Sequence, residues 1–443
     1  MILARLLAPE AFGTMAIVLS SASVIQAFTD IGVRDALIQN PRGSEPEYAD
    51  AAWWLSFGRS LGIYAVLFFA SPWIAVFYRN PQLTSLLRVA ITSIILEGMM
   101  SARAYVALKE MKFPRWAVIY HGGGICGVVI TLILSFHLRD VWALVLGSVA
   151  EGAARCALSY IICPYFPSIK PDREALRELL KYSRRVFGLS FLNLIFTRTD
   201  IFVLAKMFSA TQLGLYAMAS YLAQTPASFI INLEAQILMP TFSHIQGQKD
   251  RINQILLRVT SLIVLLGMPA LAFVYFCGTF LLAAVYGQRY AGVGPVLTIA
   301  AAVALINLVN GPITTVFGAT GFPQLHRRSV GLMAVTMVLL IYPLTKWLGL
   351  AGAQTACLVA MAAGYLLQVE RIHKLTRLNV SQYGKIFLLS AATSVSVIII
   401  CIGVRSFAAL ARPLPNIALG VVGCLLAYAV TCGVLFRRAG RPA

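Results

Sequence analysis

Long apolar runs separated by short polar loops set the pattern of this chain. A transmembrane helix rises ~1.5 Å per residue and must cover a ~30 Å hydrocarbon core, which takes about twenty residues. On that measure the runs predict spans at 11–30, 53–77, 83–108, 115–137, 141–163, 186–207, 212–238, 256–281, 293–318, 329–347, 350–369, 386–404 and 415–436. Thirteen spans make this an all-α polytopic membrane protein. Between them, the segment 164–185 holds Pro171 followed by Leu176, Leu179 and Leu180 at helical spacing, which predicts an amphipathic helix on the cytoplasmic surface.

Composition agrees with that pattern and removes several function classes. Apolar residues make up 59% and charged residues 12% of the chain, against roughly half and a quarter in soluble domains, and the mean hydropathy is +0.79. The net charge of +19 points to topology rather than to nucleic acid, because Lys and Arg cluster in alternate loops. Loops 31–52, 109–115, 164–185, 239–258, 318–328, 370–385 and 437–443 together carry 23 of them. The positive-inside rule therefore puts these loops and the C-terminus in the cytoplasm of a bacterial inner-membrane protein. None of the eight cysteines forms a CxxC pair, so neither disulfides nor a metal site is expected. No GxxxxGK[ST] or HExxH motif is present; the chain is read as no enzyme and as needing no cofactor. A membrane polymerase or ligase would need a large extracytoplasmic loop, and those loops are about ten residues or fewer.

An internal repeat organises the spans. Leu3-Ala4-Arg5-Leu6-Leu7-Ala8, followed by Phe12-Gly13, aligns with Leu204-Ala205-Lys206-Met207-Phe208-Ser209 and Leu213-Gly214 at an offset of 201. Leu87-Arg88-Val89-Ala90 and Phe113-Pro114 parallel Leu297-Thr298-Ile299-Ala300 and Phe322-Pro323 at 210 and 209. Both copies start on the same side, so two homologous six-helix lobes are expected as parallel repeats, with a substrate path between them. The expected organisation is an N-terminal lobe at 1–163, a linker at 164–185, a C-terminal lobe at 186–383, and two further helices with a basic tail at 384–443. The second copy has a span, 186–205, before its corner, and the first has only Met1 and Ile2. The expected ancestral form has fourteen helices with a cytoplasmic N-terminus, of which this chain is expected to lack the first.

The stretches Leu3 to Gly13 and Asp30 to Gln39, with Asp200-Ile201-Phe202-Val203-Leu204-Ala205-Lys206, Leu213-Gly214-Leu215-Tyr216, Leu222-Ala223-Gln224-Thr225-Pro226 and Met239-Pro240-Thr241-Phe242-Ser243, resemble bacterial polysaccharide and O-antigen flippases. These belong to the multidrug/oligosaccharidyl-lipid/polysaccharide exporter superfamily. The resemblance covers nearly the whole chain. It implies a two-lobed bundle moving undecaprenyl-diphosphate-linked oligosaccharide across the inner membrane for O-antigen, capsule or exopolysaccharide assembly. Implied partners are that lipid-linked oligosaccharide, membrane lipid, a polysaccharide polymerase and a chain-length regulator, with no nucleic acid. Arg34 departs from the small residue usual in the family, as does the short N-terminus. A multidrug or cation antiporter of the same superfamily and a lipid II flippase are the alternatives. The first would be expected to carry more intramembrane carboxylate than arginine.

A diphosphate crossing hydrocarbon needs fixed cations and water. Arg59, Arg88, Arg103, Arg155 and Arg198 lie within predicted spans and are the substrate-binding candidates, since guanidinium binds phosphate bidentately and keeps its proton. Each has a plainer alternative. Arg59, Arg88 and Arg103 lie where they could snorkel to an interface, and Arg155 stands four residues after Glu151, the spacing of an ion pair within one helix. The ion-coupling candidates are Glu97, Asp200, Asp30 and Glu234, with Glu97 the most central in its run and ion pairing as the competing role. Gly122, Gly123, Gly124 and Gly127 predict a close helix contact. Pro226, Pro269, Pro295, Pro312 and Pro343 predict helix interruptions, with Gly311-Pro312 the best hinge.

Overall fold

The computed structural model describes residues 1–29, 33–168 and 172–408. Asp30, Pro171 and the expected span 415–436 lie outside them. Every described element is helical: α1 (Ile2–Leu6), α2 (Pro9–Thr29), α3 (Val33–Gln39), α4 (Pro46–Phe77), α5 (Gln82–Ala90), α6 (Thr92–Gly98), α7 (Arg103–Lys109), α8 (Phe113–Leu138), α9 (Val141–Ile162), α10 (Arg173–Met207), α11 (Ala210–His244), α12 (Lys249–Tyr286), a short 3₁₀ turn at Gln288–Val293, α13 (Gly294–Ala319), α14 (Pro323–Thr376) and α15 (Val380–Ala408). The chain is a multi-pass membrane protein. By length and hydropathy, six of the described helical stretches can cross a bilayer, and a seventh if the bent run from Gln82 to Lys109 counts as one span. They expose large apolar side chains, such as Phe69 and Trp73 on α4, Ile125 and Phe136 on α8, and Leu339 and Tyr342 on α14, as lipid contact requires. Helices α10 and α11 are each 35 residues long, but Asn193, Arg198 and Asp200 in one and Gln224, Asn232 and Glu234 in the other dilute their apolar runs.

Three boundaries differ from the sequence expectation. The run 83–108 is not one helix: it breaks between Gly98 and Arg103, and the axis turns by 59°. The segment after Pro171 does not lie apart on the surface. It forms the first turns of α10, which continues unbroken through the expected span at 186–207. Its Ala175 and Leu179 are buried in a core with Leu37, Tyr48 and Ala52, so this apolar face is spent on protein rather than on lipid. Pro295 opens α13 within its first turn instead of interrupting a helix, where its missing N–H costs nothing. The other break is as expected: α14 is two helices divided at Gly349, whose φ of 61° and ψ of −138° suit glycine alone.

The structure divides into two compact units, Ile2–Gly214 and the described residues from Leu215 onward. Within the first unit, the start of α11 meets the start of α2. A Cβ on Gly13 would lie 1.9 Å from the Ala210 carbonyl oxygen, and one on Gly214 would lie 1.7 Å from that of Pro9. Pro9 and Ala210, like Gly13 and Gly214, are 201 residues apart, the offset of the expected repeat, and the contact is reciprocal. The second unit has its main core among Phe242, Leu256, Ile313, Phe317 and Ile372.

Candidate functional site

In the first unit, proline and glycine decide where the polar groups sit. Pro72 in the middle of α4 has no N–H, which leaves the Phe68 carbonyl four residues earlier without its helical partner. Two groups supply one. Ser71 Oγ donates at 2.8 Å, and Arg88 Nε approaches at 3.4 Å while also donating to Ser71 Oγ at 3.1 Å. The Arg88 guanidinium lies 4.3 Å from the centre of the Phe68 ring. Arg88 is thereby committed to joining α5 to α4.

Arg155 is similarly engaged. It pairs with Glu151 across one turn of α9, as the spacing predicts, and its guanidinium stacks 4.0 Å from the centre of the Tyr120 ring of α8. The glycines of α8 make this possible. A Cβ at Gly123 would lie 2.3 Å from Arg155 Cγ, and one at Gly127 would lie 2.5 Å from Glu151 Cβ.

Arg59 is half-buried on α4, next to Ser60. There α6 crosses so closely that a Cβ on Gly98 would lie 2.2 Å from Ser60 Oγ. Glu97 is exposed at the end of α6, not enclosed as its central place in the run implies, because the helix ends one residue later. Arg198 and Asp200 are both half-buried on α10. Arg198 makes no ion pair or side-chain hydrogen bond among the described residues.

The break before Arg103 is built by groups remote in sequence. The freed Met99 carbonyl accepts from Tyr160 Oη at 2.8 Å and from Trp53 Nε1 at 3.3 Å. Ser101 N donates to Ser159 Oγ at 2.9 Å, and Ser101 Oγ to the Cys163 carbonyl at 2.8 Å. This satisfies the backbone where the helix stops, the condition for a broken helix at membrane depth. Beyond it, α7 leaves at a new angle and carries Arg103 into a cavity of about 310 Å³. Lys112 and Arg115 line the same cavity; neither was a sequence candidate, since loop cations are ordinary at a cytoplasmic face.

The second unit holds a different polar group. Both carboxyl oxygens of Glu234 are buried and without a hydrogen-bond partner among the described residues, as is Asn310 Oδ1. Gly311 faces this carboxyl: a Cβ there would lie 2.7 Å from Glu234 Oε2. The Gly311-Pro312 hinge candidate on α13 is thus the surface against which Glu234 rests. Nearby on the same helix, Thr314 Oγ1 donates to Gln368 Oε1 at 3.2 Å, and Gln368 Nε2 meets His326 Nδ1 at 3.3 Å. Within the first unit, the structure does not gather the candidate arginines, all of them among the described residues, into one cluster. It commits Arg88 and Arg155 to helix contacts, sets Arg103 in a cavity, and isolates Glu234.

The model for a family described as polysaccharide biosynthesis protein matches residues 2–295. The chain belongs to that family. It is a polysaccharide biosynthesis flippase-type transporter, not an enzyme. An uncharacterized membrane protein in the cps region of Klebsiella pneumoniae is 26% identical over 377 residues, covering 83% of this chain and 76% of its own. The teichuronic acid biosynthesis protein TuaB of Bacillus subtilis (strain 168) is 21% identical over 384 residues, covering 84% and 78%. Among solved structures, the lipid II flippase MurJ in an inward closed conformation superposes with a TM-score of 0.79 at 13% identity, over 99% of this chain and 96% of that one. That likeness establishes the fold for this family member.

Proposed function

We propose that this flippase moves undecaprenyl-diphosphate-linked oligosaccharide units from the inner to the outer leaflet of the bacterial inner membrane by alternating access, with its basic loops and C-terminus in the cytoplasm. The observation that carries the reading is the family match over 2–295 on a chain with more arginine than carboxylate inside its spans. About thirteen spans, arranged as two homologous lobes in parallel repeat followed by two C-terminal helices, are part of the same proposal. The reciprocal contact of Gly13 and Gly214 supports the repeat on which it rests.

Arg59 and Arg198 take the diphosphate: both stand half-buried on helices of the first unit, Arg59 on α4 and Arg198 on α10. Glu234 serves ion coupling: an enclosed carboxyl without a protein partner is stable only when neutral or beside a cation. Movement of α13 about Gly311-Pro312 would change that enclosure. The test is Arg59→Ala together with Arg198→Ala in a strain dependent on this chain for surface polysaccharide. Surface polysaccharide should disappear while the amount of protein in the membrane stays at the wild-type level. Polysaccharide at the wild-type level would remove these arginines from the path.

A further inference from the structure

The cavity beyond the break in the Gln82–Lys109 run is lined by residues from four segments: Ser44 ahead of α4, Arg103 of α7, Lys112 and Arg115 around the start of α8, and Cys163 and Tyr165 after α9. Its charges are unbalanced. Lys112 Nζ lies 2.7 Å from Glu110 Oε2, and that is the one acidic side chain in the lining. Arg103 and Arg115 make no ion pair or side-chain hydrogen bond among the described residues. Glu110 is held below the usual carboxylate range, first by the Lys112 hydrogen bond and then by the fields of Arg115 and Arg103, which places both guanidiniums within electrostatic reach of the same point. Neighbouring cations are spent elsewhere: Lys109 donates to the carbonyls of Asn40 and Pro41.

The walls are fixed rather than loose. Tyr165 donates its hydroxyl to Asp50, Ser101 ties the break to Cys163, and the α7–α8 turn closes through Met111 at a φ of 58° with Lys112 N donating to the Ala107 carbonyl at 2.8 Å. A positive-inside loop needs cations somewhere on this side of the membrane. It does not need two unpaired guanidiniums converging on one built cavity at the end of a broken helix.

We infer that this cavity is a docking site for the diphosphate group of a lipid-linked sugar, gripped by Arg103 and Arg115 with Lys112 beside them, and separate from the embedded arginines. The inference rests on the cargo and orientation proposed above. Planar guanidiniums suit a diphosphate bidentately. The site would hold the headgroup at the cytoplasmic interface before it meets the transmembrane path.

The full chain in nanodiscs, read by native mass spectrometry, tests this with three probes: undecaprenyl diphosphate, phosphatidylglycerol and inorganic pyrophosphate. Arg103→Gln with Arg115→Gln should weaken undecaprenyl diphosphate binding by at least about tenfold, the loss of one charge-assisted hydrogen bond or more. Phosphatidylglycerol retention should stay unchanged, and Arg103→Lys with Arg115→Lys should recover part of the binding, which excludes simple misfolding. Unchanged undecaprenyl diphosphate affinity, a parallel loss of phosphatidylglycerol, or an effect on free pyrophosphate alone would overturn the assignment. Binding is read here without transport. Polysaccharide export that survives the Arg59 and Arg198 substitutions would remove those arginines from the path and leave this site standing.

Discussion

Replacing Arg88 by Met tests whether a proline-freed carbonyl is the reason that an arginine sits in the first unit. The substitution removes a charge-assisted hydrogen bond to Ser71 Oγ at 3.1 Å, worth ~1.5–3 kcal/mol, and a guanidinium 4.3 Å from the Phe68 ring centre, worth ~0.5–2 kcal/mol. Allowing for the apolar packing that Met retains, the loss should be about 2–4 kcal/mol. Pro72→Ala restores an N–H to the Phe68 carbonyl, so in that background the same Arg88→Met change should cost about 1 kcal/mol less. The assay is a double-mutant cycle on unfolding of the purified protein in detergent, followed by tryptophan fluorescence. Costs that add within ~0.5 kcal/mol would show that Arg88 does not answer Pro72, and its place on α5 would need another cause.

Two other predictions concern packing and pH. Gly127→Ala puts a Cβ 2.5 Å from Glu151 Cβ, where backbone must give way; about 1–3 kcal/mol of overpacking should lower the unfolding temperature, and an unchanged temperature would refute the tight α8–α9 contact. Glu178 accepts from Tyr48 Oη at 2.6 Å and Asn40 Nδ2 at 3.2 Å, and these bonds, Tyr48 first, hold its carboxyl below the usual range. A carboxyl lowered in the folded state stabilises it above the unfolded value and loses that contribution as pH falls through the folded one. Hydrogen-exchange protection factors of amides 173–181, taken against the intrinsic rate at each pH, should therefore fall below about pH 4.3, and Glu178→Gln should flatten that dependence. The same fall in the variant would exclude Glu178 as its source.

Much of the architecture was legible because the bilayer imposes it locally. Twenty-residue apolar runs, the divide at Gly349 between 329–347 and 350–369, the Glu151–Arg155 spacing and the glycine face of α8 are each visible within a few turns of chain. The expected repeat rests on such short stretches too, and two of its residues, Gly13 and Gly214, lie at a close helix contact. What could not be read depends on residues far apart. The run 83–108 contains no proline, and it breaks because Trp53, Ser159 and Tyr160 offer partners to the backbone at Met99 and Ser101. The role of Arg88 depends on Pro72, sixteen residues earlier on another helix. Glu97 sits centrally in its run, yet that break leaves it at a helix end. The cavity of Arg103, Lys112 and Arg115 needs four segments, and taken one by one its cations look like ordinary loop charges. Amphipathic Leu176 and Leu179 were ambiguous for another reason: an apolar stripe looks the same whether lipid or protein covers it.

The most direct test of the central claim is transport by the purified full chain in proteoliposomes carrying a fluorescent undecaprenyl-diphosphate-linked oligosaccharide, with a non-permeant quencher reporting its leaflet. The account predicts leaflet exchange well above that of protein-free liposomes, sharply reduced in the Arg59→Ala, Arg198→Ala double variant, and no longer responsive to an imposed ion gradient in Glu234→Gln. Exchange at the protein-free rate with correctly inserted protein, or exchange indifferent to both sets of substitutions, would contradict it.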